Sequence, residues 1–382
     1  MLRRFPLATL MVLAAALCAS AQSLSDADLK RHIDSLSDFN YATRMTAARM
    51  IRRVPAASVV PALAVSARAH PDEFVRYRAL VILTSFNDGG TAALMRTLIA
   101  DRNDRVREVV YRWFERHPSA DLTDALLAAL SAEQSEFVRP ALIRAVAALP
   151  ANERVQRALL GEIGRGFDFF RSAVVSALGD HRATYAVDAI AALATSEGTL
   201  QDDAVLALGR IGDRRALGVL TGLTKTAPDV TAALQAAQCL LGDSCESRIA
   251  WLDESARNAL TRPDAVRAAV AALAAIGETD AAAREALVRS AAGAPDRLRR
   301  DASLALSALA LRRPAEVIAW LITASDEVRA LGTELLREGF ESLEEDFAEE
   351  QFFGAARAAY WQAADASTGR TVTATLIDRL EF

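Results

Sequence analysis

The sequence predicts an all-α protein, a right-handed α-solenoid (superhelix) of about ten stacked helix pairs. Three observations lead there. An Arg-centred unit recurs along the 382-residue chain at a nearly constant interval. The composition is 52% hydrophobic but only 6% aromatic, with much of the apolar fraction Ala, a residue that favours helix and lets short helices pack closely. No run alternates apolar and polar residues for long enough to require a strand.

The repeat carries most of the weight. Its unit is an acidic or polar residue, an apolar residue and Arg, followed by an Ala- and Leu-rich stretch. The unit occurs as Glu73-Phe74-Val75-Arg76, Asp104-Arg105-Val106-Arg107, Glu136-Phe137-Val138-Arg139 and Asp168-Phe169-Phe170-Arg171, and again around Arg267, Arg299 and Arg329. Arg44 occupies the slot in a diverged first copy. Aligning Leu208-Gly209 on Leu178-Gly179 places Gln201 in the next slot and Thr231 in a degenerate one. Successive intervals are 32, 31, 32, 32, 30, 30, 36, 32 and 30 residues. Within each period a turn signal such as Gly179-Asp180, Gly212-Asp213 or His117-Pro118 leads into a second apolar-periodic segment. Examples are Val59 to Ala67, Leu122 to Leu130, Val187 to Leu193 and Ala216 to Leu223. A single pair of this kind cannot bury its own apolar face, whereas stacked pairs share a continuous core.

These residues carry a family resemblance. The Asp-x-x-Val-Arg opening, the Ala-Leu-Gly-x-Ile-Gly-Asp ending and the period of about 31 residues resemble HEAT-like repeats of the phycobilisome-lyase type, over roughly residues 30 to 337. The resemblance implies the solenoid fold and a binding scaffold. Two enzymatic branches of HEAT-like proteins fit poorly. The deoxyhypusine hydroxylases hold iron with His-Glu pairs, and here the corresponding dipeptides are His32-Ile33, His70-Pro71, His117-Pro118 and His181-Arg182. The phycobilin lyases act in the cytoplasm, which conflicts with the N-terminus of this chain.

That N-terminus has the pattern of a secretory signal: Arg3 and Arg4, an apolar stretch from Leu7 to Leu17, and a small-x-small site ending at Ala21 before Gln22. The expected organisation is a signal peptide over residues 1–21, the solenoid over 22–337 and a capping segment over 338–382, in a secreted or periplasmic protein without a membrane span. In an oxidising compartment the two remaining cysteines, Cys239 and Cys245, invite a structural disulfide. Six positions along one helix hold Cα atoms roughly 9 Å apart, too far to bridge. Gly242-Asp243 between them breaks the helix, so both a disulfide and two free thiols stay open.

The 36-residue interval places extra residues between Leu241 and Asp264, either a binding loop or drift in a degenerate repeat. Seven acidic residues (Glu338, Glu341, Glu344, Glu345, Asp346, Glu349 and Glu350) precede an aromatic helix with Phe353, Ala356, Tyr360 and Ala364 on one stripe beside Phe352 and Trp361. This segment reads as a terminal cap, with an acidic docking surface as the alternative. The recurrent arginines, Arg44, Arg76, Arg107, Arg139, Arg171, Arg267, Arg299 and Arg329, read as a structural ladder that pairs with acidic residues and loop backbone of adjoining turns. Charged helices such as Arg96 to Arg116 read as solvated faces.

The net charge of −5 argues against a nucleic-acid partner. No catalytic, cofactor or metal motif is found, and the four histidines are scattered. The expected function is therefore an extracytoplasmic scaffold that binds a protein or peptide through its concave surface. The competing reading is an enzyme or enzyme subunit of the lyase or hydroxylase type with a dispersed site.

Overall fold

A computed structural model describes residues 24–86, 88–224, 226–242, 245–258, 262–342 and 348–380. The chain forms two compact units, Met1–Leu94 and Met95–Phe382. The described residues are helical throughout, with short 3-10 turns and no strand. The leader, with Ala21 and Gln22, lies outside the described residues, as do Glu344, Glu345 and Asp346.

The first unit contains α1 (Asp26–Asp34), α2 (Tyr41–Arg52), α3 (Ala56–Ala69) and α4 (Glu73–Thr84), and its boundary falls inside α5 (Thr91–Leu98). Helix starts are set locally. Ser25, Asn40 and Asp72 each accept a hydrogen bond from a first-turn backbone N–H of α1, α2 and α4. These bonds satisfy donors that the helix itself leaves unpaired. Leu29, Ile33, Ile51, Val59, Leu63, Leu80 and Leu83 form the buried side of these helices.

The second unit continues with α6 (Asp104–Arg116), α7 (Thr123–Ala132), α8 (Arg139–Ala148), α9 (Glu153–Ile163), α10 (Asp168–Asp180), α11 (Val187–Ala194), α12 (Gln201–Ile211) and α13 (Ala216–Gly222). It ends with α14 (Pro228–Leu240), α15 (Cys245–Arg257), α16 (Pro263–Ile276), α17 (Ala281–Ser290), α18 (Asp296–Arg312), α19 (Pro314–Thr323), α20 (Asp326–Ser342), α21 (Ala348–Gln362) and α22 (Thr368–Leu380). The ten slots read from sequence fall on ten alternate helices, α2 to α20, each at or near the helix start. In this unit the slot-bearing helices α6, α8, α10, α12, α14, α16, α18 and α20 pack side by side in one continuous row. The second helix of each pair flanks that row. This is an all-α solenoid.

Small residues let the row close up. A Cβ on Gly179 would meet the Ala207 Cα at 3.0 Å, and one on Gly209 would meet the Ala237 Cα at 2.4 Å. The Leu-Gly pair that marks the repeat in sequence is therefore the point where α10 meets α12 and α12 meets α14.

Two irregular places differ from expectation in an instructive way. The residues added in the long interval do not form a loop alone. They lengthen the second helix, so that α15 has 13 residues where α11 has 8 and α13 has 7. At the other end α20 runs through to Ser342, so a boundary at 337/338 lies inside a helix. Phe352, Phe353 and Ala356 of α21 are buried in the core shared with α16 to α20, as are Val372, Leu376 and Leu380 of α22. Ala364 lies beyond the end of α21, and Trp361 is 73% exposed.

Candidate functional site

The charged residues that converge in the second unit lie mainly at the C-terminal ends of the slot-bearing helices. Glu115 is in the last turn of α6, Asp180 ends α10 with His181 as its cap, and Arg210 is in the last turn of α12. Glu278 follows α16, and Arg312 ends α18. Arg144 of α8 completes the set. Helix C-termini carry partial negative charge, which favours arginine in the final turn. Arg116, Arg210 and Arg312 all occupy such positions.

These residues form an alternating chain of ion pairs. Arg144 donates from Nε to Glu115 Oε1 and from Nη1 to Asp180 Oδ2, both at 2.8 Å. Asp180 Oδ1 lies 3.2 Å from Arg210 Nη1, and Arg210 Nη2 lies 3.5 Å from Glu278 Oε1. Arg312 Nε reaches the same Glu278 oxygen at 3.2 Å. His181 Nε2 is 3.2 Å from Glu115 Oε1. The order Glu115, Arg144, Asp180, Arg210, Glu278, Arg312 thus links α6, α8, α10, α12, the end of α16 and α18, and spans across α14, whose own slot is the degenerate Thr231.

Burial makes the pairing matter. The Asp180 side chain is 9% exposed and that of Arg210 14%. Burial pushes the Asp180 carboxyl up, but the charges of Arg210, Arg144 and Arg312 outweigh it and hold the group below its ordinary value. For Glu115, burial again opposes ionisation, and the His181 hydrogen bond and Arg144 charge overcome it. Arg144 is raised because Glu115 and Asp180 together outweigh its burial. Arg312 moves the other way: burial first, then the neighbouring Arg210 charge, lowers it.

Two cavities open on this network. The larger, about 620 Å³, is lined by Arg112, Glu115 and Arg116 of α6, by Arg144, Asp180, His181 and Glu278, and by Ala308, Leu311, Arg312, Arg313 and Pro314 around the end of α18. Five arginines face three carboxylates there. The smaller, about 380 Å³, shares Asp180, Glu278 and Arg313 with it and adds Arg210, Cys239 and Cys245.

The residues singled out in sequence sit elsewhere and act on the frame. Slot residues donate back to the C-terminal carbonyls of the preceding helix. Arg76 Nε bonds Ala67 O at 3.3 Å, Arg139 Nη1 bonds Leu130 O at 3.2 Å, and Arg171 Nε bonds Ile163 O at 3.0 Å. Arg329 Nε bonds Leu321 O at 2.9 Å, and even Gln201 Nε2 bonds Ala194 O at 3.0 Å. Arg44 caps Asp38 O at 2.7 Å. Several slots add a carboxylate from a later element: Arg107 is bidentate to Glu133, Arg139 reaches Glu162, and Arg299 is bidentate to Glu338. Arg267 makes only long contacts, 3.7 Å to Asp264 and 3.8 Å to Asp301.

Cys239 at the end of α14 and Cys245 at the start of α15 are joined as a disulfide, with Cα atoms 4.6 Å apart. Gly242, at φ +89°, makes the reversal that brings them together. His70 meets Asp34 in the first unit, and His117 stacks on Trp113 with ring centroids 4.0 Å apart. Among the described residues no group of three His, Cys, Asp or Glu is placed to hold a metal ion. No described helix is long and apolar enough to cross a membrane.

Sequence reading placed Asp180 in a turn signal, His181 among isolated histidines, and Glu115 on a solvated face. Asp180 and His181 do lie at a helix end, and the structure adds that they and Glu115 meet in one partly buried network. The available signal was charge recurring at the end of the slot-bearing helices, as in Leu178-Gly179-Asp180 and Leu208-Gly209-Arg210.

The family description HEAT repeats matches residues 29–112. Among curated proteins none matches the sequence. Solved structures similar to this chain include the CpcE–CpcF complex of phycocyanin lyase from Nostoc sp. PCC7120, at 20% identity over 65% of this chain and 97% of that one, with a TM-score of 0.42. Kap95p with RanGDP is similar at 14% identity over 92% of this chain, with a TM-score of 0.40. Importin beta is similar at 13% identity over 92%, with a TM-score of 0.38. The chain covers 57% of each of those two proteins. Residues 29–112 match HEAT repeats by sequence, and the fold is an all-α solenoid of paired helices.

Proposed function

We propose that this protein is an exported repeat scaffold whose second unit binds an extended segment of a partner protein in the groove along Glu115, Asp180 and Arg312. The observation that carries this reading is the convergence of charged side chains from five repeats on one cavity. A solenoid that needed only its core would leave these helix ends separately solvated. Volumes of a few hundred Å³ with convergent polar groups are typical of ligand sites. Binding here needs no covalent step, and selectivity comes from complementary charge.

Export rests on the leader pattern and on the paired cysteines, a form that persists in oxidising compartments. Protein recovered from the cell envelope is expected to begin at Gln22 by intact mass. A full-length mass with both thiols reactive would remove the export reading.

Site-specific photo-crosslinking tests the binding reading. A photoreactive residue at Ala308, which lines the cavity, is expected to trap one recurring protein in vivo. The same residue at exposed Ala192 on the second-helix row is expected not to trap it. Equal trapping from both positions, or none from Ala308, would count against the groove.

A further inference from the structure

We infer that the N-terminal edge of α8, α10, α12 and α14 is a second docking surface, which takes a basic segment of a partner protein whose apolar side chains cover three exposed phenylalanines. This edge is the end of the slot-bearing helices opposite the cavities, so the inference goes beyond the proposed groove and stands without it. Phe137 lies in the turn ahead of α8, Phe167 is the N-cap residue of α10, and Phe169 sits in the first turn of α10. They are 85%, 77% and 73% exposed. Phe137 and Phe169 hold the same place in the repeat, two residues before the slot residues Arg139 and Arg171. The starts of α8 and α10 meet, because the Arg139 guanidinium lies 4.8 Å from the ring centre of Phe170. Phe170 itself is buried, whereas the rings on either side of it stand in water. The equivalent Phe74 of the first unit lies against Tyr77 and under Arg78 instead. Three solvated phenylalanines amount to a few hundred Å² of apolar surface, a size that marks an interaction site in a soluble protein.

The charge beside the rings selects the partner. The arginines of this edge, Arg139, Arg165 and Arg171, are answered by Glu162 and Asp168. Thr199 donates to the second oxygen of Asp168, which ties the start of α10 to the turn ahead of α12. Further carboxylates follow: Glu136 beside Phe137, Glu197 in that turn, Asp202 and Asp203 in the first turn of α12, and Asp229 in the first turn of α14. None of these five has an ion-pair partner among the described residues. Burial and then the Asp203 charge, with Asp229 adding to it, push the Asp202 carboxyl above its ordinary value, as expected where negative charge is not answered. Each helix N-terminus supplies about half a positive charge, less than the two carboxylates of α12. A surface that is apolar at its phenylalanines and negative beside them attracts a segment bearing both apolar and Lys or Arg side chains, and repels an acidic one.

Fluorescence anisotropy with labelled decapeptides, on the whole protein at low ionic strength, tests the inference. A peptide of alternating Leu and Lys is expected to bind. Alternating Leu and Glu, and alternating Ser and Lys, are each expected to bind about tenfold more weakly or not at all. Phe137→Ser and Phe169→Ser are each expected to weaken the Leu-Lys peptide by about tenfold, the scale for one phenylalanine returned to water. Both variants should melt as the parent does, because their rings already lie in solvent. Asp203→Asn is expected to weaken binding by about threefold and to flatten its dependence on salt. No binding of the Leu-Lys peptide, or an affinity unchanged in both phenylalanine variants, would overturn the inference. Equal affinity for the Leu-Glu peptide would overturn the charge selection, and equal affinity for the Ser-Lys peptide would overturn the apolar contact. Sedimentation is the remaining arm. A parent protein that dimerises while Phe137→Ser stays monomeric would make this face an interface between two copies and overturn the separate partner.

Discussion

The slot arginines differ sharply in what they touch, and that predicts how much each contributes. Arg139 caps Leu130 O and Glu133 O and pairs with Glu162, whose side chain is 7% exposed. Removing it leaves Glu162 with Arg165 as its remaining partner and takes a donor from two carbonyls. Arg139→Ala is therefore expected to lose about 2 kcal/mol, the scale for removing hydrogen bonds to a charged group. Arg267, half exposed and with only long contacts, is expected to lose no more than about 1 kcal/mol on the same change. Urea unfolding of the two variants measures the contrast, and equal losses would contradict this account of the ladder. The slot was legible because one residue type recurs in it. Its cap on the previous helix was legible only in outline, since the carbonyl partner lies seven to nine residues upstream and depends on the turn.

At the scale of the helix, close packing and the long repeat each make a prediction. Gly209 faces the Ala237 backbone with no room for a methyl group, whereas Gly161, in the last turn of α9, has nothing within 4 Å of its added Cβ. Gly209→Ala is expected to destabilise by about 1–3 kcal/mol through overpacking. Gly161→Ala is expected to stabilise by about 0.5–1 kcal/mol through helix propensity. Thermal melting decides between opposite signs. The disulfide closes a short loop between α14 and α15 in the repeat whose slot holds Thr231. Cys245→Ser is expected to remove about 2 kcal/mol, the chain-entropy value for a loop of this length. Hydrogen exchange should show the loss concentrated in α14 and α15, because repeat arrays transmit little beyond nearest neighbours. Loss spread evenly over the second unit would contradict a local staple.

Over the whole molecule the buried carboxylates tie stability to pH. Glu115, Glu133 and Asp180 all ionise more readily when folded than ordinary carboxylates do. Groups with lowered folded pKa values add stability that is complete above the unfolded value of about 4 and is lost as pH falls through the folded value. Asp202 acts in the opposite sense, because burial and then Asp203 raise it. The denaturation midpoint is expected to fall between about pH 5 and about pH 3. The fall should be shallower in Asp180→Asn, which removes one of the titrating groups. An unchanged slope in that variant would show that the network does not carry the dependence.

Periodicity along the chain was enough to assign the class of fold, the ten slots, the alternation of helices and the place where the repeat is disturbed. Those properties follow from local rules: helix propensity, turn residues and an apolar face that needs a neighbour. The groove required the folded molecule. Arg210 and Glu278 stand 68 positions apart in sequence, and Arg144 meets both Glu115 and Asp180 only because α6, α8 and α10 lie side by side. Whether a charge at a helix end faces water or another charge depends on how each pair rotates against the next. That rotation is set by side-chain packing such as Gly209 on Ala237, which no single repeat contains.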